Sequence, residues 1–261
     1  MFVVIKRKTV VVAAMLLVAV VVVSSAVGVC LTGLTGLADD SLFTVVLDAG
    51  HGGVDGGVKG AESGVYEREI NLLVVREVEQ LLKDSNVRVV LTREDEKGLY
   101  DIVEEGFKKK DFAARKAVIE NASADLVVSV HCNKFPDQSR RGAQCFFEPT
   151  SPESVRLAEE IQSALNPLNE RELNKTYSAL KGDYYMLKCT TAPSAIVECG
   201  FLSNPEDDRL LNTPSYRTEI ARAIASAILS YRSACSTLIA RIPTLSCLEV
   251  TQSVCAKNDV H

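Results

Sequence analysis

The sequence predicts an α/β fold: a three-layer αβα domain with a mostly parallel or mixed sheet, preceded by one transmembrane or signal helix. Short apolar runs such as Phe43–Leu47 and Leu126–Val130 alternate with longer stretches whose apolar residues recur at helical spacing. Alternation of that kind implies a sheet covered on both faces. Three of the runs lead directly into His51, His131 and Glu198. A charge-free stretch, Thr9–Ala38, follows the basic cluster Lys6-Arg7-Lys8.

Within that stretch Val10–Val29 is apolar or small throughout, and about 20 residues of helix would span roughly 30 Å, a bilayer core. Residues 1–8 are therefore expected to be cytoplasmic, 9–32 a membrane anchor or signal, and 33–41 a linker. The basic side faces inward, which puts the body outside a single-pass span at the cell membrane. Ser24-Ser25-Ala26 offers a small-residue cleavage site, but the apolar run exceeds a signal peptide's usual core, which favours an uncleaved anchor. Val29 stands where a small residue would precede a lipidated Cys30, so a lipoprotein is not expected.

Residues 42–232 read as one catalytic domain. After the first strand, Ile70, Leu73, Val74, Val78, Leu81 and Leu82 line one face of a helix over Glu67–Asp84. Val87–Leu91 is the next strand, Arg93–Lys110 a charged loop with one helical turn, and Asp111–Asn121 a helix. Then follow the strand ending at His131, a strand over Ala143–Phe147, and a helix opened by Ser151 and Pro152 that Pro167 should end. The strand ending at Glu198 and a helix over Tyr216–Arg232 complete the domain. The tail, residues 233–261, fits no element and has no assigned role.

With a net charge of −5, nucleic acid is not an expected partner. Eight cysteines are many for an exported chain. Cys235, Cys247 and Cys255 are the candidates for pairing, whereas Cys132 and Cys199 each follow a candidate active residue and should point into the core. No C-x-x-C pair supports a structural zinc site, and Gly50-His51-Gly52-Gly53 lacks the Lys-Ser/Thr of a phosphate loop.

Ligands of open α/β sheets bind beyond the carboxyl ends of the strands, so His51, His131 and Glu198 share one crevice. Glu67, at the start of the first helix, joins them. Each has an ordinary explanation: a loop histidine in a glycine turn, a carboxylate favoured by a helix dipole, a strand-end polar group. Glu198 resists it, because a carboxylate directly after Ala195-Ile196-Val197 is costly to bury without a cation or hydrogen bonds. Only three histidines exist in the chain, and two of them fall here. Two imidazoles and one carboxylate make a catalytic zinc site, and a further carboxylate makes a general base.

Four ordered segments, Val46-Leu47-Asp48-Ala49-Gly50-His51-Gly52-Gly53, Glu67-Arg68-Glu69-Ile70-Asn71-Leu72, Ser129-Val130-His131-Cys132-Asn133 and Ile196–Asn204, resemble the signatures of zinc-dependent N-acetylmuramoyl-L-alanine amidases. The resemblance runs from about Phe43 to Tyr231. It implies that His51, Glu67 and His131 bind Zn2+, that Glu198 is the catalytic carboxylate, and that the substrate is peptidoglycan. In such a reaction zinc yields hydroxide at neutral pH and steadies the oxyanion, while Glu198 moves the proton from water to the leaving L-alanine nitrogen.

The chain is most similar to the membrane-anchored CwlD type of spore-forming bacteria. The single anchor, the lack of a wall-binding repeat, the charged segment after Leu91-Thr92-Arg93-Glu94 and Tyr184-Tyr185-Met186-Leu187 carry that similarity. It implies a role in making spore-cortex muramic-δ-lactam, a setting in the forespore intermembrane space, and a partner protein that activates the enzyme. Asn133 and Asp55 are expected to orient ligands or substrate, or else to be plain strand-end and turn residues; Arg93 to meet a substrate carboxylate or form a surface salt bridge. A different zinc amide hydrolase, such as a sugar deacetylase, and a non-catalytic cell-wall scaffold are the other classes the residues leave open.

Overall fold

The computed structural model describes residues 42–100 and 102–240, with side chains to Ser236. Among these no helix is long and apolar enough to cross a membrane; the anchor, the linker and Cys247 and Cys255 lie outside the described residues. A six-stranded sheet has the order β2-β1-β3-β6-β4-β5. Its strands are β1 (Phe43–Ala49), β2 (Val87–Leu91), β3 (Leu126–Asn133), β4 (Gln144–Phe147), β5 (Leu180–Lys181) and β6 (Ser194–Phe201). All neighbours run parallel except β4, which lies antiparallel to β6, so the sheet is mixed.

The helices are α1 (Glu67–Leu82), α2 (Phe107–Ala122), α3 (Pro152–Leu173), α4 (Tyr185–Lys188), α5 (Pro205–Leu211) and α6 (Pro214–Ala240). The two-residue period of each strand divides the core. Val45, Leu47, Val128, Val130, Ala195 and Val197 face α1, α3 and α6, while Val46, Val127 and Ile196 pack with Ile119 of α2 and Met186 and Leu187 of α4. Burying each such large aliphatic side chain is worth about 1.5–3 kcal/mol.

The second face changes character toward the carboxyl ends of the strands. Val46 gives way to Asp48, Val127 to Ser129 and then His131, Ile196 to Glu198. The same alternation sends Cys132 and Cys199 to the opposite face, where both are buried as free thiols. Cys235 is free as well.

Several element ends shift by one to three residues, β6 for instance running past Glu198 to Phe201, and three helix boundaries differ by more. The helix opened by Ser151, whose hydroxyl accepts from the Ser154 amide at 3.1 Å, runs through Pro167 to Leu173. Pro167 sits on the exposed side, and beyond it Leu168 and Asn169 are buried; Asn169 bonds both the amide and the carbonyl of Ala143. Those tertiary contacts outweigh the lost helical bond. α2 begins at Phe107 instead of Asp111, because Gly106 takes a positive φ of 85° and Phe107 packs its ring 5.1 Å from Tyr100. α6 continues eight residues past Arg232, into the segment that had no assignment.

α5 was not anticipated, and it fastens the rim of the crevice. Asn204 caps it, and its buried first-turn pair Asp207 and Asp208 reaches outward. Asp208 accepts from the amides of Glu62 and Ser63 at 2.8 and 2.9 Å and from the Ser63 hydroxyl at 2.6 Å. Asp207 accepts from the amides of Gly142 and Phe201. The loops leading into α1 and β4 are thus held by one turn of helix.

Candidate metal centre and active site

His51 stands two residues beyond β1 in a left-handed backbone conformation, φ 62°, which is uncommon for a residue with a side chain. Two buried arginines hold its loop in place. Arg115 donates to the carbonyls of His51 and Ala49, and Arg93 donates to those of Ala49 and Gly50 at 2.9 and 3.1 Å. Gly50 must lack a side chain, since a Cβ there would lie 2.1 Å from Cε1 of His131. Gly57, with φ +69°, leaves room for Oε2 of Glu67 in the same way.

Glu67 opens α1, and that helix packs beneath the sheet end so that its first residue reaches over β1 and β3. Its Oε1 lies 3.2 Å from Nε2 of His51 and 2.9 Å from Nδ1 of His131, and it accepts from the Cys132 amide. Asn71, one turn further along, donates to both Gly50 O and Glu67 Oε1. Oε2 accepts from the Val58 amide at 2.9 Å. One potential ligand atom from each of His51, Glu67 and His131 falls within 4.8 Å of the others.

Glu198 is directly across from His131 in the β3–β6 register. It is 7% exposed, and its Oε2 has no hydrogen-bond partner. Burial, reinforced by the nearby Glu67 charge, raises its carboxyl to about 7 against the opposing pull of His131 and His51. Burial of Glu67 works against its charge, yet the contacts with His131 and His51 win and hold it well below the usual carboxylate range. His51 shows the complementary balance: burial disfavours its cation, but Asp55 and Glu67 raise it to about 9. The cluster therefore favours positive charge between its ligand atoms.

This donor set fits zinc: two imidazoles and a carboxylate converge, and Glu198 lines the same cavity. The orphaned Glu198 oxygen is a buried acceptor awaiting a partner in that same space. Asp55 Oδ2 lies 3.1 Å from Nδ1 of His51, within ion-pair reach though off the line of a hydrogen bond, and Lys108 pairs with it at 3.2 Å. A carboxylate behind a ligating imidazole fixes its ring and raises its basicity. Asn133 lines the cleft, its Oδ1 accepting from the Lys134 amide. Arg93 does not meet solvent or a substrate carboxylate; it is buried and spent on backbone carbonyls.

Sequence reasoning missed Asn71 and Arg115. Arg115 is 1% exposed and pairs with Asp48 and Asp111, each at 2.6 Å. The signal available was Asp48, a carboxylate inside an apolar strand that needs a cation.

Residues 45–230 match the amidase 3 family, N-acetylmuramoyl-L-alanine amidase. The germination-specific N-acetylmuramoyl-L-alanine amidase of Bacillus subtilis is 34% identical over 192 residues, covering 72% of this chain and 78% of that protein. The CwlD amidase of Clostridioides difficile, solved in complex with the GerS lipoprotein, matches with a TM-score of 0.68 at 34% identity, over 73% of this chain and 98% of that one. The catalytic domain of CwlV from Bacillus (Paenibacillus) polymyxa var. colistinus gives a TM-score of 0.62 at 28% identity, over 73% and 98%. The chain belongs to the N-acetylmuramoyl-L-alanine amidase family.

Proposed function

We propose that this amidase is zinc-dependent and acts on spore-cortex peptidoglycan, removing stem peptides so that muramic-δ-lactam can form. The observation that carries the zinc reading is the convergence of His51, Glu67 and His131 beside an unpartnered buried Glu198. His51, Glu67 and His131 would hold the ion. When bound, zinc supplies Lewis acidity, which acidifies a water and polarises the carbonyl of the scissile amide.

The chain's own residues do the rest. Glu198 accepts a proton from the attacking water and returns it to the L-alanine nitrogen as the amide breaks. Burial, which raises this carboxyl in the metal-free protein, favours its holding the proton between the two halves of that exchange. Asp55 holds the His51 ring, and Asn71 holds the Glu67 carboxylate. Arg93 and Arg115 keep the His51 loop from relaxing.

The cortex role rests on the likeness to the germination-specific Bacillus subtilis amidase. The basic start and apolar run of the sequence support a single-pass anchor with the catalytic domain outside the cytoplasm, and the likeness to the germination-specific amidase supports a setting in the forespore intermembrane space. The Clostridioides difficile relative was solved with a lipoprotein, which supports an activating partner protein here.

Complementation tests the cortex role. In a Bacillus subtilis strain lacking its germination-specific amidase, this chain restores muramic-δ-lactam to the spore cortex, read by mass spectrometry of digested cortex, and its Glu198→Gln variant does not. A cortex that stays free of δ-lactam while the expressed chain cleaves peptidoglycan would leave the family activity standing and remove the cortex assignment.

A further inference from the structure

The crevice divides into two chambers that share His51 and His131. One, of about 200 Å³, is lined by Tyr100, Phe107 and Phe112. Its cations are already matched: Lys108 by Asp55, and Arg115 by Asp48 and Asp111. The other, of about 340 Å³, contains Glu198, Asn133, Lys134 and Tyr184. The Tyr184 ring is set edge-on against Phe146 at 5.5 Å and forms one wall.

Lys134 differs from the other cations around the centre. Its amide donates to Asn133, but its ammonium has no ion-pair or hydrogen-bond partner among the described residues. Nor does it serve Glu198, whose buried oxygen is itself unpartnered. Lys134 is exposed at the rim of the cavity that also holds Glu198, so its unpaired ammonium is accessible to an occupant of that cavity.

The chemistry decides which half of the substrate that is. Glu198 must reach the departing nitrogen, so the leaving peptide lies on the Glu198 side, in the Lys134 chamber. After L-alanine the stem peptide carries a γ-linked D-glutamate, whose α-carboxyl is either free or amidated. In an extended chain this group sits about 6–7 Å from the scissile nitrogen.

We propose that Lys134 is a specificity-determining residue that pairs with the free α-carboxylate of the second stem-peptide residue. The inference rests on the zinc amidase reading and deepens it. Lys134 touches no reacting atom, so its contribution falls on KM, and a charge-assisted hydrogen bond of this kind is worth on the order of tenfold.

The test uses the zinc-loaded full chain with N-acetylmuramoyl-L-alanyl-D-glutamate and the corresponding D-isoglutamine α-amide, both capped as the γ-methylamide so that only the α-carboxyl differs. Wild type is expected to show a KM about tenfold lower for the acid at similar kcat. Lys134→Gln raises KM for the acid alone and erases the preference, and Lys134→Arg retains it. Saturation-transfer NMR of the two product dipeptides should show the same discrimination without turnover. Equal KM values for acid and amide in wild type, or a loss in Lys134→Gln that falls on both substrates or on kcat, overturns the proposal while leaving the amidase intact. Where the zinc-loaded chain turns over neither substrate without a partner protein, the NMR comparison decides, and equal binding of the acid and amide products overturns the proposal.

Discussion

Replacing Glu198 with Gln lowers kcat by about 10²–10⁴-fold, the usual contribution of a general acid–base group, without unfolding the domain or emptying its metal site. Gln keeps the shape of the side chain, and Glu198 is not among the converging donors His51, Glu67 and His131. Stability should move in the opposite direction. In the metal-free protein the Glu198 carboxyl is raised from 4.5 to about 7, so its ionised form is disfavoured by folding. Wild-type stability then falls as pH rises from about 4.5 through 7, and Glu198→Gln escapes that loss, by up to about 3 kcal/mol at pH 8. Urea denaturation of the metal-free proteins at pH 5 and pH 8 checks the sign. A variant that is inactive and also less stable at pH 8 would mean that Glu198 supports the fold instead of the chemistry.

Arg115→Met destabilises the domain by about 3–5 kcal/mol at neutral pH, because it leaves Asp48 ionised and buried without its cation. Asp48 lies inside β1 and also accepts from Thr92 and Ser129. Burial alone would raise its carboxyl, but Arg115 and these hydroxyls bring it down from 3.8 to about 2. Its folded value is below its unfolded one, so the wild-type contribution, about 2 kcal/mol, is present above pH 4 and is lost as pH falls through 2. In the variant the relation inverts. Asp48 is then easier to protonate in the folded state, and stability declines as pH rises above 4. The double variant Asp48→Asn, Arg115→Met should recover part of the loss, since no charge is left buried. Arg115 also donates to the His51 carbonyl, so metal affinity should fall together with stability. An Arg115→Met protein as stable as wild type at pH 7 would contradict the assigned pairing.

Much of this arrangement was legible because strand periodicity and the α/β rule are local signals. Val46, Val127 and Ile196 alternate with Asp48, Ser129 and Glu198, and that pattern alone put two candidate groups on one face of one sheet end. Glu67 could be attached only through the motif, since a helix-start glutamate is unremarkable by itself. What escaped the sequence depends on distant partners. Arg115 and Asn71 acquire meaning only when α2 and α1 dock against the β1 loop, and Arg93 looked exposed because its neighbours are charged. Pro167 reads as a stop, yet the helix continues because Leu168 and Asn169 find partners on β4 and its approach. The short α5 carries too few apolar residues to register a period, although its Asp207 and Asp208 tie two loops to the end of β6.

We propose that zinc held by His51, Glu67 and His131 and the carboxylate of Glu198 together cleave the muramoyl–L-alanine amide. The most direct measurement is mass spectrometry of the soluble products released from purified peptidoglycan by the full chain, with its bound metal quantified in the same sample. One zinc per chain is expected, with release of stem peptides bearing a free L-alanine amino group that chelation abolishes and zinc restores. Zinc-loaded protein that releases acetate in place of stem peptides, or equal peptide release after the metal is removed, would contradict that chemistry.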